Sequence, residues 1–390
     1  MLNDKTDIYP IVIGQRVFTN YRIPVWYEIA KKMHMKVIVL ADDQNPHYSE
    51  TSKAGHISPL LQLISLKTFE LFHSGDQLVI LLPGFIKNII QLKPYALIIL
   101  DDMSVITFIL AAIYARIHQT PLFFWSLGRI FSKSPSPWRK RIKPFHQWLL
   151  RHATGILCYS TVAKKFYIDE YNVPDNKCHV LYNCLHEGII RSSYENNIPY
   201  RTKIRKSMGI SDNEITFLYV GAMKTSKRPQ VLVEACINLR RKRNPIHVIL
   251  VGGGDHLQYL MKNYQQYPWI HFLGPCHEGV EKYFAAGDVY VQPGLGGLGL
   301  YQAMVCGMPV IAGDGDGTEY DMIENGKNGF LMRHKSSVKE LTDLLDRFIS
   351  QPDILISMGK RSGELVVNKF NVDNFVHRFQ NAIHGNQPLE

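Results

Sequence analysis

Short apolar runs alternate with amphipathic stretches along almost the whole chain. In the first half the pattern predicts strands at Ile8–Ile13, Lys36–Leu40, Leu78–Leu82, Ala96–Leu100, Pro121–Trp125 and Gly155–Tyr159. Helices such as Pro24–Lys32 and Met103–His118 fall between them. The second half repeats the alternation, with strands at Thr216–Val220, His247–Val251, Ile270–Leu273, Asp288–Gln292 and Pro309–Ile311. Its helices are Pro229–Arg241, His256–Tyr264 and Val280–Ala285. Near-continuous apolar strands separated by helices predict parallel sheets covered on both faces. The fold class is therefore α/β, as two Rossmann-like doubly wound domains facing a cleft, with ligands at the carboxyl ends of the strands. A polar stretch from Leu185 to Ser207, broken by Pro199, reads as the linker. The expected domains are 1–190 with a returning C-terminal helix at 370–387, and 200–368. In the tail, Val338, Leu341, Leu344, Leu345 and Phe348 share one helical face, and Val372, Phe375, Val376, Phe379 and Ile383 share another.

One stretch, Asp288 to Gly329, stands out for chemistry. A short strand stops at Pro293, the glycine-rich turn Gly294-Leu295-Gly296-Gly297-Leu298-Gly299 follows, and a short helix runs through Cys306. Gly307 reads as the residue after the helix, where positive φ carries no steric penalty, and Pro309 blocks continuation. A buried strand and the loop Gly313-Asp314-Gly315-Asp316-Gly317-Thr318-Glu319 close the unit. The helix N-terminus is left bare, so free N–H groups and the positive dipole end favour an anion there, read as phosphate. A tight turn that binds nothing would have the same glycines.

Composition narrows the classes. The 390 residues are 46% hydrophobic and 20% charged, a globular balance rather than a disordered one. The net charge of +10 favours an acidic partner, whether nucleic acid, an anionic membrane surface or a phosphorylated ligand. The six cysteines are scattered without a Cys-x-x-Cys pair, so they read as buried free thiols in a reducing compartment and not as a metal site. No signal peptide is read in the polar Met1–Asp7 segment. The apolar region Ala96–Ile117 is interrupted by Asp101 and Asp102 and reads as a strand and a helix rather than a membrane span. Between residues 129 and 152, the basic Arg129, Lys133, Arg139, Lys140, Arg141, Lys143 and Arg151 interleave with Phe131, Trp138, Phe145 and Trp148. That mixture suits an anionic bilayer surface; a solvated basic face with its aromatics packed inward is the competing reading. Single-stranded nucleic acid would use the same residue types, but two doubly wound domains argue against it.

The order of motifs resembles the GT-B glycosyltransferases, and within them the retaining glycosyltransferase family 4. Tyr219-Val220-Gly221-Ala222-Met223-Lys224-Thr225-Ser226-Lys227-Arg228-Pro229 is similar to that family's Val-Gly-Arg-…-Lys-Gly loop. Val251-Gly252-Gly253-Gly254-Asp255 resembles its second-domain glycine turn. Phe272-Leu273-Gly274, with Tyr283 to Val289, resembles its next strand and helix. Gln302-Ala303-Met304-…-Gly307-Met308-Pro309-Val310-Ile311 is similar to its Glu-Ala-Met-…-Gly-x-Pro-Val-Ile core. Glu319, Asn328-Gly329-Phe330-Leu331 and Tyr21-Arg22-Ile23-Pro24 follow suit. Several features depart from the family. Its paired glutamates would fall on Gly294 and Gln302, its arginine after Gly221 is Ala222, and a first-domain histidine would fall on Leu127. A subgroup with a Pro-Gly-…-Gly-Leu turn lacks the first glutamate, as Pro293-Gly294 and Gly297-Leu298 do here.

The resemblance implies a sugar moved from a UDP- or GDP-type nucleotide-sugar to a glycan or lipid-linked glycan. It also implies retention of configuration, no metal and no further cofactor. The setting it implies is bacterial surface or exopolysaccharide synthesis, in the cytoplasm or peripherally at the membrane's cytoplasmic face. Charge on the departing diphosphate is then met by basic side chains and helix-end amides. Lys227 is the first candidate, Arg228 the second, and the amides of Gly297, Leu298, Gly299 and Leu300 complete the cradle. Gln302 stands where the family's glutamate accepts from the ribose, and its carbonyl oxygen can still accept. Glu319 is a candidate for ribose or donor sugar. In the first domain Gly14 is read as closing strand one, with Gln15 and Arg22 on the donor side. Asp101 and Asp102 end a strand and could polarise an acceptor hydroxyl, although helix-capping acids need no such role. Arg139, Lys140, Arg141, Lys143, Trp138 and Trp148 form the expected membrane or acceptor surface. Two rivals remain open: a catalytically silent GT-B module that binds a glycan or partner protein, and a sugar-nucleotide epimerase of the same architecture.

Overall fold

A computed structural model describes residues 9–44, 54–74, 77–128, 137–242, 245–276, 278–333 and 337–385. The chain divides into two units. Among the described residues the first comprises 9–128, 137–182 and 372–385, and the second 183–371.

Among the described residues the first unit carries ten strands: β1 (Ile11–Val17), β2 (Val37–Asp42), β3 (Gly55–Ser58), β4 (Leu61–Ser65), β5 (Phe69–Ser74), β6 (Gln77–Leu81), β7 (Ala96–Leu100), β8 (Leu122–Ser126), β9 (Gly155–Cys158) and β10 (Cys178–Val180). Eight of them form one sheet in the order β10-β9-β8-β7-β1-β2-β4-β3, parallel except for β3. The order reverses between β1 and β7, the place where doubly wound sheets open a crevice at their carboxyl ends. Strands β2, β8 and β9 are buried along their whole length, as a sheet covered on both faces requires. The C-terminal helix Val372–His384 packs on the helix Ile23–Met33 and sets Phe375 6.0 Å from the Trp125 ring.

The second unit holds β11 (Ile215–Val220), β12 (Ile246–Val251), β13 (Ile270–Gly274), β14 (Val289–Gln292), β15 (Val310–Ala312) and β16 (Gly329–Leu331). All are parallel, in the order β13-β12-β11-β14-β15-β16. This is the Rossmann strand order, and it places the reversal between β11 and β14. The loop holding Lys227 follows β11 and the glycine-rich turn follows β14, so the topology alone brings them to one crevice.

Three sequence expectations need correction. The apolar run at Leu78–Leu82 is not a strand of the parallel sheet; β6 pairs antiparallel with β5 in a two-stranded sheet. Strand β1 does not close at Gly14 but runs on to Val17, past a register shift between Gly14 and Val17. The segment 185–207 is not an irregular linker, for it forms the helices Glu187–Asn197 and Arg201–Ser207 within the second unit. Arg205 supplies the reason. Its side chain is fully buried and donates to the carbonyls of Ala286 (2.9 Å), Ser211 (2.7 Å) and Glu214, with the Asp288 carboxylate at 3.2 Å. A tertiary ion pair thus organises a stretch whose local composition favours a loop.

Candidate donor site in the second unit

The site is built from three loops at strand carboxyl ends. The first follows β11. Gly221 leaves the strand at φ +154, and a tight turn at Thr225–Lys227 ends on Arg228 in the left-handed region at φ +53. Pro229 then starts the helix Pro229–Arg241. The second loop is the glycine turn. Leu295 N donates to Ser226 O at 2.9 Å, tying the turn to the first loop. The helix that follows begins at Leu298, with Gly297 as its N-cap and no capping side chain. The first amides of a helix have no partner within it, so this end presents donors and the positive dipole pole.

Lys227 lies against the turn. Its Nζ donates to Gly296 O at 2.9 Å and reaches Leu295 O at 3.4 Å. A Cβ added to Gly297 would sit 3.1 Å from that nitrogen. Burial pushes the Lys227 ammonium below its usual range; the Asp316 carboxylate opposes the shift, and Lys224 adds to it. Tyr290 Oη lies 2.8 Å from Gln292 Oε1 and 3.1 Å from Val220 O, and Gln292 Nε2 donates to Leu295 O at 2.8 Å. These two buried polar residues brace the turn from below.

The turn needs its glycines because it is packed on all sides. A Cβ at Gly294 would meet the Lys227 carbonyl carbon and Ser226 O at 2.6 Å, and one at Gly299 would meet Tyr290 Oη at 2.3 Å. The third loop follows β15 and presses on the turn as well, with Gly315 Cα so close that an added Cβ would lie 2.5 Å from Gly296 N. In the first turn of the helix Thr318–Met322 that follows this loop, Glu319 is 1% exposed and accepts from Gly315 N (2.7 Å) and Gly317 N (3.1 Å). Burial nevertheless raises its carboxyl to about 7. Glu319 therefore braces the loop before it. Gln302 is partly buried on the helix after the turn. Arg228 directs a buried Nη1 that has no partner among the described residues.

In the first unit, Asp101 and Asp102 follow the carboxyl end of β7 directly. Asp101 is held by His146 Nε2 at 2.6 Å and by Tyr167 Oη, with its side chain 6% exposed. Asp102 pairs with Arg16 at 2.6 Å and accepts from Ser104 N and Oγ at 3.0 and 2.6 Å. Both carboxylates have built-in partners, and His146 and Arg16 are residues that sequence reasoning did not single out. Gly14 lies within β1 against Phe85, whose ring would be 2.6 Å from an added Cβ. Gln15 follows it, partly buried. Arg22 is not an exposed helix-start arginine. It is 6% exposed and lies 5.7–5.8 Å from the Tyr21, Trp125 and Tyr159 rings.

On the helix Pro137–His152, Lys140 and Arg141 are exposed, and Lys143 pairs with Glu170 at 3.2 Å. Trp148 (42% exposed) stacks on Phe145 (40%) at 6.0 Å, so these aromatics face outward. The side chains of Trp138 and Arg139 lie outside the described residues. A pocket of about 210 Å³ opens at the amino ends of β8 and β9, lined by Arg116, Trp148 and His152 among others. It lies at the end of the sheet opposite to the carboxyl ends, which carry the loops of a doubly wound fold, so it does not mark the donor site.

The model of the family described as glycosyl transferases group 1 matches residues 200–365. This segment is a group 1 glycosyltransferase domain. Over 192 residues the chain is 29% identical to D-inositol 3-phosphate glycosyltransferase of Gordonia bronchialis, covering 45% of this chain and 41% of that protein. It is 25% identical over 239 residues to an uncharacterized glycosyltransferase of Methanocaldococcus jannaschii, covering 58% and 59%. The chain thus spans about two fifths to three fifths of the length of these curated relatives. Among solved structures it is similar to Anabaena HepE in complex with UDP (TM-score 0.72, 17% identity, 97% of this chain and 100% of that one). It is also similar to WaaG, described as a glycosyltransferase involved in lipopolysaccharide biosynthesis (TM-score 0.68, 14% identity, 96% and 100%). The two Rossmann-like units are those of the GT-B fold.

Proposed function

We propose that the chain is a glycosyltransferase that takes a sugar from a nucleoside-diphosphate donor and passes it to a hydroxyl of a glycan or lipid-linked glycan. The observation that carries this reading is the placement of Lys227. Its ammonium lies 2.9 Å from Gly296 O, beside an uncapped helix N-terminus, at the strand-order reversal of a Rossmann sheet. A cation and free amides converging there match two phosphates in charge and in hydrogen-bonding sense. In this reading Lys227, Arg228 and the amides of Gly297 to Leu300 hold the diphosphate, and Gln302 and Glu319 stand on the ribose and sugar side. The first unit, with Asp101 and Asp102, takes the acceptor. Retention of configuration, independence of metals and cofactors, and a place in bacterial surface polysaccharide synthesis belong to the same proposal. The resemblance supports all of them, and the described role of WaaG in lipopolysaccharide biosynthesis supports the last.

Among the described residues no helix is long and apolar enough to cross a membrane. We place the chain at the cytoplasmic membrane face, on the exposed Lys140, Arg141, Phe145 and Trp148. A silent binding module is the second reading, favoured by Gly294, Gln302, Ala222 and Leu127 where the resembled family carries functional side chains. Calorimetry with UDP and GDP, followed by nucleotide release from UDP- and GDP-sugars in the presence of lipid-linked acceptors, separates the two. Absence of nucleotide binding at millimolar concentration selects the silent module.

A further inference from the structure

The hairpin β5–β6 stands outside the main sheet of the first unit, and its outer strand is bare. Phe69, Leu71 and Phe72 of β5 are 50%, 48% and 56% exposed. The two strands pair Phe69 with Leu81, Glu70 with Ile80 and Phe72 with Val79, so Leu71 is an extra residue on β5. Leu81 and Val79 are alternate residues of β6 and share a face. The bulge therefore brings the Phe69 and Phe72 rings to one face of the hairpin, where an unbroken strand would set residues three apart on opposite faces. Exposed apolar side chains gathered in this way mark a binding surface, whereas singly scattered ones do not.

Both ends of the hairpin are tied to the carboxyl-end side of the main sheet. On the way into β5, Leu66 N donates to Ala41 O and Thr68 N to Asp42 Oδ2, each at 2.8 Å, at the end of β2. On β6, Ile80 N donates to Ser104 O at 2.9 Å. Ser104 in turn donates through N and Oγ to Asp102, at 3.0 and 2.6 Å. Ile80 also forms a bridge with Val105, which sets β5 two strand spacings, ~10 Å, from the segment that holds Asp102. Lys67 lies between these anchors. It is exposed and has no ion pair among the described residues, and its Nζ is 5.7 Å from the centre of the Phe69 ring. An acid on the acceptor side, an unpaired ammonium and an apolar stripe thus share one region of the first unit. The bulge also decides what kind of partner fits. It bends and twists β5, a device that blunts an exposed edge against an added strand or a second copy. A hydrocarbon chain needs no hydrogen bonds from the edge and suits rings gathered on one face.

We propose that the β5–β6 hairpin binds the lipid part of an amphiphilic acceptor, a long hydrocarbon chain joined through phosphate to the sugar that receives transfer. Phe69, Leu71 and Phe72 take the chain, Lys67 takes the phosphate, and the sugar reaches Asp102. This rests on the acceptor reading above and narrows it, since a free glycan would leave the stripe uncovered. Apolar area removed from water drives the chain's binding, so affinity rises with chain length. An exposed ammonium adds only a small, salt-screened contribution for the phosphate.

The test is calorimetry on the full chain with dimethylallyl, geranyl and farnesyl monophosphate, each below its micelle concentration. Wild type is expected to bind farnesyl monophosphate about tenfold or more tightly than dimethylallyl monophosphate. Phe69→Ser combined with Phe72→Ser changes two exposed rings and should remove this dependence on length, with thermal melts as the folding control. Lys67→Gln should weaken all three ligands by about threefold and keep the dependence. A dependence unchanged in the double variant overturns the proposal, and so does its absence in wild type, which carries the test if the double variant does not fold. Sedimentation with phosphatidylglycerol–phosphatidylcholine vesicles separates a bound chain from a bilayer. Loss of vesicle binding in the double variant, with farnesyl monophosphate binding intact, would make the hairpin a membrane anchor and overturn the proposal. The same samples are titrated with UDP and GDP. Absence of nucleotide binding defeats the glycosyltransferase reading and the proposal with it, whereas failure with the prenyl phosphates alone overturns only the proposal.

Discussion

Replacing Lys227 by methionine keeps the stem and removes the ammonium. In the folded protein the ammonium serves two carbonyls, Gly296 O at 2.9 Å and Leu295 O at 3.4 Å. Both lie in a partly exposed turn where water can replace it, so the stability loss should stay near ~1 kcal/mol. A bound diphosphate cannot be compensated in this way. A hydrogen bond to a charged group contributes ~1.5–3 kcal/mol, which predicts UDP or GDP affinity lower by about 10- to 150-fold. The pH profile gives an independent check. Burial lowers the Lys227 pKa, so its charge, and the affinity that depends on it, is present at low pH and lost as pH rises through a value below that of free lysine. Lys227→Arg, whose guanidinium stays charged, should remove this alkaline loss. Calorimetry from pH 7 to 10 on the wild type and both variants reads both effects, with thermal melts as the folding control. Wild-type affinity in a folded Lys227→Met protein, or an alkaline limb unmoved by arginine, would refute the assignment of Lys227 to the diphosphate.

Other perturbations test other parts of the structure. Gly294→Glu, which restores the resembled family's residue, should destabilise by about 1–3 kcal/mol and leave turnover unimproved, because a Cβ there meets backbone at 2.6 Å; urea melts and nucleotide-release assays decide. Arg205→Ala strips a fully buried cation from Asp288 and three carbonyls, so chemical denaturation should show a loss of about 3–5 kcal/mol. Glu319 is raised from 4.5 to about 7; its unfolded form ionises first, so stability should fall as pH rises from about 4.5 to 7, by at most ~3 kcal/mol. Glu319→Gln should flatten that slope in melts across the window, and an unchanged slope would reject the shift. Lys140→Gln with Arg141→Gln should cut binding to anionic vesicles by about 30-fold in sedimentation assays, and undiminished binding would remove these residues from the membrane surface.

The fold was legible where the pattern is long or continuous. Ala96–Leu100 and Pro229–Arg241 run between the bounds read from the sequence, since an unbroken apolar strand and a three-turn amphipathic helix have no competing period. Three-residue strands such as Cys178–Val180 and Gly329–Leu331 are too short to show any. Leu78–Leu82 reads as a central strand by apolarity, but pairing direction is a tertiary choice that a local run does not encode. Likewise 201–207 is held as a helix by Arg205 reaching carbonyls up to 81 positions away. In the site, Lys227 and the glycine turn could be found because each follows directly on a predicted strand. The closeness of Asp316 to the turn could not be read, because it depends on how closely the loop after β15 approaches Gly296.

The missing first glutamate and the position of Lys227 are linked by packing. Gly294 lies against the backbone of Ser226 and Lys227, where an added Cβ would be within 2.6–2.7 Å of three main-chain atoms. Leu295 N on Ser226 O closes the same contact. The loop after β11 can approach this closely only because position 294 has no side chain, and that approach lets a half-buried lysine reach the turn's carbonyls with its ammonium. A glutamate at 294 would force the two loops apart and move the cation away from the helix end. Loss of the family's carboxylate is therefore consistent with a tighter, rearranged site. Its charges arrive from the flanking loops, Lys227 from one side and Asp316 from the other, around a backbone kept free of side chains.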